Sequence, residues 1–285
     1  MKLAVNFSNA LLDLLNENPD LPIDYIKVPT EPLPDSFSQF EKGRAFRKLL
    51  PHPAQPGVIA LGHSSPLERF NREMVAKIID LTKPDYLSTH LEAKLVFFPS
   101  FKKEQHQFHP GLKKEMLNRF LEGIDLVKRA TGLPLLLENF PYYSWWIHFK
   151  LGSDPAFITE VCEAGDCGFL LDIAHARCSA WYFGIPLEQY IEMLPLHRLV
   201  EIHLAGTCHR VEGIRDSHTK LTDDDYQLFK FVLKKTDPKI VTIEYGGLPD
   251  RIMNQAGSYE PIRRNDPREL HEMIYKVISL LEVNV

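Results

Sequence analysis

Cys167–His175 reads CGFLLDIAH: an almost unbroken apolar run that carries Asp172 near its end and finishes at His175. A run this apolar on both alternating faces fits a strand buried on both sides, as in a parallel sheet covered by helices. It also ends in two groups that an apolar interior does not tolerate alone. Asp172 and His175 straddle the strand end, so they can approach one centre from two directions.

The same form recurs along the chain. Short apolar or β-branched runs are Leu3–Phe7 (LAVNF), Asp24–Pro29 (DYIKVP), Val58–His63 (VIALGH) and Tyr86–Leu91 (YLSTHL), then Pro134–Asn139 (PLLLEN), Leu199–Gly206 (LVEIHLAG) and Lys239–Gly246 (KIVTIEYG). With Cys167–His175 they make eight. Amphipathic stretches lie between them, among them Leu67–Leu81, Gly111–Ala130, Thr222–Lys235 and Pro267–Leu281. Thr222 followed by three acids is a helix N-terminus. Strand–helix alternation implies parallel strands with helices covering them. Eight such units predict a (β/α)8 TIM barrel occupying residues 1–285 as a single domain. The alternative, an open doubly wound sheet, wants a glycine-rich first turn, and VNFSNALL has none.

Composition narrows the function classes. A net charge of −5 argues against non-specific nucleic-acid binding, which needs a basic face. The four cysteines, Cys162, Cys167, Cys178 and Cys208, contain no C-x-x-C pair, so reduced thiols in a cytoplasmic protein are expected rather than a zinc ribbon or a disulfide scaffold. No apolar run is long enough for a membrane span, and the N-terminus lacks a signal-peptide pattern.

In such a barrel the active site lies at the C-terminal ends of the strands. His63 ends the third run, His90 and Glu138 nearly end the fourth and fifth, and Asp172 and His175 finish the sixth. His203 lies in the seventh, Asp216 and His218 in the loop after it, and Glu244 in the eighth. Taken singly, each has an ordinary structural explanation: a hydrogen-bonded histidine, a cap, a turn. Together they bring nine metal-ligand side chains to one rim, with a composition that suits zinc, iron or manganese. Glu138, Asp172 and His175 are the candidate catalytic groups. His52, His197 and His271 read as structural, whereas His106, His109, His148 and His209 fall in loops on the active rim.

The order His, His, Glu, Asp, His, His, Asp, His, Glu resembles the ligand order of endonuclease IV, a three-zinc barrel in the xylose isomerase-like superfamily that cleaves DNA at abasic sites. The local wording resembles another branch of that superfamily, the multinuclear non-haem iron-dependent oxidative enzymes. The residues that carry this likeness are LLLENFPYY (Leu135–Tyr143), CGFLLDIAHARCSA (Cys167–Ala180), VEIHLAG (Val200–Gly206), STHL (Ser88–Leu91) and DSH (Asp216–His218). The resemblance implies two or three iron ions on His63, His90, Glu138, Asp172, His203, Asp216, His218 and Glu244. It also implies dioxygen as oxidant, a ribosomally made peptide as substrate and a partner protein that presents it. His175, which matches endonuclease IV, stands where the iron-enzyme family is expected to carry Asn, and the first strand lacks that family's glycine-rich opening.

Four readings follow: an iron oxidase acting on a peptide or small molecule, a zinc phosphodiesterase, a sugar isomerase or epimerase, and a binding barrel without turnover. The isomerase wants a catalytic lysine, and none is apparent at a strand end. Trp145, Trp146, Trp181 and Tyr182 follow strands five and six and could wall the site, with His209 nearby. Arg251, Arg263 and Arg264, after strand eight, could hold a substrate carboxylate. Lys94–Pro110 could cover the site as a lid.

Overall fold

The computed structural model describes the chain except residues 30–35, 54–57, 64–69, 103–108, 212, 247, 254–258 and 284–285. Eight parallel strands form a nearly closed barrel: β1 (Lys2–Asn6), β2 (Tyr25–Pro29), β3 (Lys48–His52), β4 (Leu87–His90), β5 (Leu135–Glu138), β6 (Gly168–Asp172), β7 (Leu199–Leu204) and β10 (Ile240–Ile243). Two antiparallel hairpins rise from it. β8 (Gly206–Arg210) pairs with β9 (Gly213–Thr219) after β7, and β11 (Leu248–Met253) pairs with β12 (Tyr259–Arg264) after β10.

The backbone ladder runs from β3 through β2, β1, β10, β7, β6 and β5 to β4. Between β3 and β4, among the described residues, side chains close the circle instead. His52 Nδ1 lies 2.7 Å from Ser88 Oγ, and Thr89 Oγ1 donates to the Pro53 carbonyl at 3.3 Å.

The third strand is not Val58–His63, as the apolar pattern suggests, but Lys48–His52. Pro51 makes that segment a poor strand on propensity, yet a strand with one unpaired side is where proline is tolerated. Val58, Ile59 and Leu61 are buried for a different reason: their segment packs on the helix Pro110–Thr131. A Cβ on Gly123 of that helix would lie 2.8 Å from the Leu61 carbonyl oxygen, so a glycine lets the two backbones touch.

The other helices follow local chemistry. Thr222 and Asp225 form a capping box on Asp223–Leu233. Pro110–Thr131 starts at a proline and stops at Gly132, whose φ of 68° suits a left-handed cap. His109 caps this helix, its Nδ1 accepting from the Gly111 N–H at 3.2 Å, so its ring is spent on structure. Among the described residues, no helix is long and apolar enough to cross a membrane.

Inside the barrel, alternate residues of each strand face one another. The floor is apolar: Ala4, Leu50, Tyr86, Leu136, Leu170 and Ile240 pack as one cluster. Two residues further along several strands stands a buried polar tier of Lys27, Ser88, Glu201 and Thr242. Another step of two brings His90, His203 and Glu244 to the C-terminal rim, where His52, Glu138 and Asp172 arrive two residues beyond the floor.

Candidate metal centre

The strand period sets the rim. Leu50/His52, Leu136/Glu138, Leu170/Asp172 and Thr242/Glu244 each pair an inner residue with a ligand-type residue two positions later. The side chains meet in a cavity of about 550 Å³ whose lining includes His52, His90, His175, Asp216, His218 and Glu244.

Glu138 lies at the centre and is only 1% exposed. Its Oε2 is 3.1 Å from His52 Nε2 and 3.3 Å from His90 Nε2, while Oε1 is 3.2 Å from His175 Nδ1 and 3.6 Å from His203 Nδ1. Asp172 caps the helix Ile173–Phe183, its Oδ1 accepting from the His175 N–H at 2.7 Å. Its Oδ2 faces His175 Nε2 at 3.9 Å and His203 Nδ1 at 4.0 Å. His203 Nδ1 is 3.2 Å from Glu244 Oε1.

The β8–β9 hairpin folds Asp216 and His218 over this group. Asp216 Oδ2 is 3.0 Å from His218 Nε2 and 3.5 Å from His175 Nε2. His218 has a φ of 49°, unusual for a residue with a Cβ. Two hydrogen bonds hold it there: its N–H donates to Asp216 Oδ1 at 3.3 Å, and its carbonyl accepts from the Gly246 N–H at 2.7 Å.

Three overlapping sets of possible ligands result: His52, His90 and Glu138; Glu138, Asp172 and His175; and Asp172, His203 and Glu244. Glu138 and Asp172 each belong to two sets, so they join the three. The donor chemistry fits a metal cluster, because imidazoles and carboxylates together suit zinc, iron or manganese. The hydrogen bonding fits as well. Glu138 Oε2, Asp172 Oδ2 and His203 Nδ1 are buried without a hydrogen-bond partner, and all three face this cluster. Native interiors seldom leave such atoms unsatisfied without reason. Two ring nitrogens have partners outside the ligand sets: His175 Nδ1, which also faces Glu138, lies 2.9 Å from the Asn139 carbonyl, and His203 Nε2 lies 3.1 Å from Glu201 Oε1. Metal-binding histidines are oriented by such outer contacts.

The electrostatics show how tightly the groups interact. Burial alone would raise the Glu138 carboxyl, but His90, His203 and His52 outweigh it and hold it well below its usual range. Burial dominates at Asp172 and pushes it up to about 6. At His203 burial is outweighed by Glu244 and Glu138, which raise it to about 10. At His218, Asp216 likewise overcomes burial and raises it to about 9. Burial wins at His52 and lowers it to about 4. Without a metal ion, protons on His203 and His218 balance part of the carboxylate charge.

The structure gathers His90, Glu138, Asp172, His175, His203, Asp216, His218 and Glu244 into this centre. His63 is half-buried with its ring centroid 4.8 Å from that of Phe97, and belongs to none of the three sets. The histidine from the third strand is His52, which the sequence reading assigned to structure. Its signal was the spacing of Leu50 and His52 in KLLPH. Lys27, a buried lysine lining the cavity, was missed too.

Trp146 lines the cavity beside Tyr143 and Arg215. Trp145 and Trp181 are exposed outside it. Trp145 Nε1 donates to Tyr182 Oη at 3.2 Å, and Trp181 lies 5.8 Å from the His209 ring. Arg251, Arg263 and Arg264 sit on the β11–β12 hairpin, their side chains outside the described residues. His106, with much of the expected lid, also falls outside them. His148 is buried, its Nε2 3.0 Å from Glu92 Oε1 at the cavity mouth.

The profile of the family described as "RiPP precursor modification enzyme MbnB/TglH/ChrH" matches residues 5–251. Among curated proteins, a UPF0276 protein of Paraburkholderia phytofirmans is 33% identical over 138 residues, 46% of this chain and 45% of that one. Another from Psychromonas ingrahamii is 27% identical over 63% of this chain and 64% of its own. The chain thus spans about half to two thirds of the length of these curated relatives. Among solved structures, endonuclease IV from Thermus thermophilus superposes with a TM-score of 0.56 at 15% identity, covering 99% of both chains. The probable 3-DHS dehydratase AsbF of Bacillus anthracis gives 0.59 at 13% identity, over 98% of this chain and 99% of that one. At such identities the likeness is one of fold, that of the xylose isomerase-like TIM barrels.

Proposed function

The chain belongs to the MbnB/TglH/ChrH family of RiPP precursor modification enzymes, and from that premise we propose that it is a multinuclear non-haem iron enzyme that oxidatively modifies a peptide. The observation that carries the reading is the linkage of three ligand sets through Glu138 and Asp172, with orphaned ligand atoms facing the centre. One ion would lie among His52, His90 and Glu138. A second would take Glu138, Asp172 and His175 with Asp216 alongside, and a third Asp172, His203 and Glu244 beside His218. When bound, two or three irons would supply the redox chemistry by which dioxygen oxidises a substrate held at the cluster.

The remaining work falls to the chain itself. Glu138 and Asp172 would each serve two ligand sets, and the Asn139 carbonyl, 2.9 Å from His175 Nδ1, holds that ring in place. Trp146, Tyr143 and Phe140 wall the cavity and exclude water from one side. Trp145, Trp181, Tyr182 and His209 would extend that wall toward the bulk of a peptide, with Arg251, Arg263 and Arg264 placed to meet a carboxylate. A presenting partner protein and a cytoplasmic setting, with the four cysteines as free thiols, complete the proposal.

A second reading, a zinc phosphodiesterase of the endonuclease IV type, is favoured by His175, whose Nε2 faces both Asp172 and Asp216. The isomerase reading needs a lysine free to act, whereas the Lys27 ammonium is engaged by Glu201 and Ser88. Anaerobic purification with elemental analysis separates the two main readings. Two or three irons per chain and dioxygen uptake on adding a peptide substrate are expected. Zinc together with cleavage of an abasic duplex would replace the oxidase with the phosphodiesterase.

A further inference from the structure

We propose that Lys27 is a positioning residue that sets both sides of the ligand cluster at once, fixing His203 through Glu201 and His52 through Ser88. The proposal rests on the metal-centre reading of the rim and deepens it.

Lys27 lies in β2, 2% exposed, with Nζ 2.7 Å from Glu201 Oε1 and 3.3 Å from Ser88 Oγ. Glu201 is fully buried and collects three more donors: Thr242 Oγ1 at 2.6 Å, Tyr86 Oη at 2.7 Å and His203 Nε2 at 3.1 Å. An ionised carboxylate only accepts hydrogen bonds. The Nε2 of His203 is therefore held as a donor to Glu201, so that when a metal displaces the second proton it is Nδ1 that presents its lone pair to the cluster. Nδ1 is the atom that lacks a hydrogen-bond partner.

The other arm works the same way. An ammonium only donates, so Lys27 takes one lone pair of Ser88 Oγ. His52 Nδ1 lies 2.7 Å from the same oxygen, and once Nε2 is given to a metal the ring's remaining proton is on Nδ1 and donates to the second lone pair. His52 Nε2, 3.1 Å from Glu138 Oε2, is thereby the atom aimed at the cluster. One lysine thus reaches the ligand sets at opposite walls of the barrel. Its charge also cancels that of Glu201, so the tier adds no net charge beneath Glu138, Asp172, Asp216 and Glu244.

Fold stability does not account for such a pair. Replacing a buried ion pair with apolar residues of similar size is often neutral or stabilising. That separates a positioning role from a structural one. In the double variant Lys27→Met/Glu201→Leu, the metal-free protein should stay folded by circular dichroism, its melting temperature lowered only by the Thr242, Tyr86 and His203 donors left unpaired. Its affinity for Fe(II) or Zn(II), measured anaerobically by chelator competition, should fall about 10- to 100-fold. Lys27→Met/Glu201→Gln keeps an oxygen that accepts from His203 and should recover most of the affinity. Should the first variant not fold, this second one still carries the comparison, with a smaller but measurable loss. Ser88→Ala should cost one ion per chain, on the His52 side, and leave the rest.

Unchanged affinity in Lys27→Met/Glu201→Leu would overturn the proposal. A folded parent protein that takes up no metal would instead overturn the metal-centre reading itself, and that failure shows before any variant is made.

Discussion

Asn139 and Asp172 are joined by a reciprocal pair of hydrogen bonds, Asn139 Nδ2 donating to the Asp172 carbonyl and the Asp172 N–H donating to Asn139 Oδ1, both at 2.9 Å. The side chain that follows β5 thus ties down the end of β6, and the Asn139 carbonyl receives His175 Nδ1 at 2.9 Å. Asn139→Ala would leave buried backbone groups of Asp172 unpaired, at a cost of about 1–3 kcal/mol. Chemical denaturation should show that loss, together with weaker metal binding. A variant with parental stability would mean that water or a shift of the backbone satisfies Asp172.

Glu138 touches four histidines, His52, His90, His175 and His203, and so ties together side chains from four other strands or strand ends. Glu138→Ala should lower metal affinity by about 100-fold or more, beyond the loss typical of outer contacts. Elemental analysis after dialysis is the check. Full retention of metal would place the ions elsewhere.

Protons and metal compete for the same nitrogens. His203 and His218, at about 10 and 9, hold protons at neutral pH in the metal-free protein. Metal affinity should therefore rise from pH 6 to pH 9, by up to about tenfold per unit for each proton displaced. His52, at about 4, is already neutral and adds nothing to this slope. The same shifts act on stability. Both folded values lie above the unfolded value of about 6.5. Their contribution is complete below that pH and is lost as pH rises through 9 to 10. The melting temperature of metal-free protein should fall over that window, while that of metal-loaded protein should change less. Affinity independent of pH would exclude these histidines as ligands.

Gly123→Ala tests the packing of the segment near Leu61. An alanine in a helix interior normally gains about 0.5–1 kcal/mol over glycine. Here its methyl would meet the Leu61 carbonyl oxygen at 2.8 Å, with the Leu61 Cα at 2.9 Å. Overpacking should outweigh the gain and give a net loss of about 1–2 kcal/mol. A rise in melting temperature would show that the loop moves aside at little cost.

Much of the architecture was legible because buried parallel strands are nearly continuous apolar runs, and six of the eight carry near their end a residue that such a run cannot explain. Cys167–His175 and Lys239–Gly246 state their strand and their ligand together. The third unit was misread because Val58, Ile59 and Leu61 look more strand-like than KLLPH, with its proline. Burial was inferred correctly for that run, but a buried run can meet a helix as well as a sheet. Asp216 and His218 were placed on the rim, yet their hairpin was not foreseen, since a two-stranded excursion has little apolar signal. The polar tier could not be read at all. Lys27, Ser88 and Glu201 acquire meaning only from one another, across separations of 61 and 174 residues.

The gap between β3 and β4 gives the first ligand set a second significance. His52 stands on one lip of that gap, and His90 on the other, their ring centroids 5.1 Å apart, with Glu138 behind them on the next strand. A ligand gripped by both histidines would serve as the rung that the backbone ladder omits. Loading the site and fastening the wall would then be one event, and stripping the site would unlatch the wall. Amides flanking this gap, in β3 and β4, should exchange with solvent faster once metal is chelated, while those of β1 and β10 on the far side keep their pace.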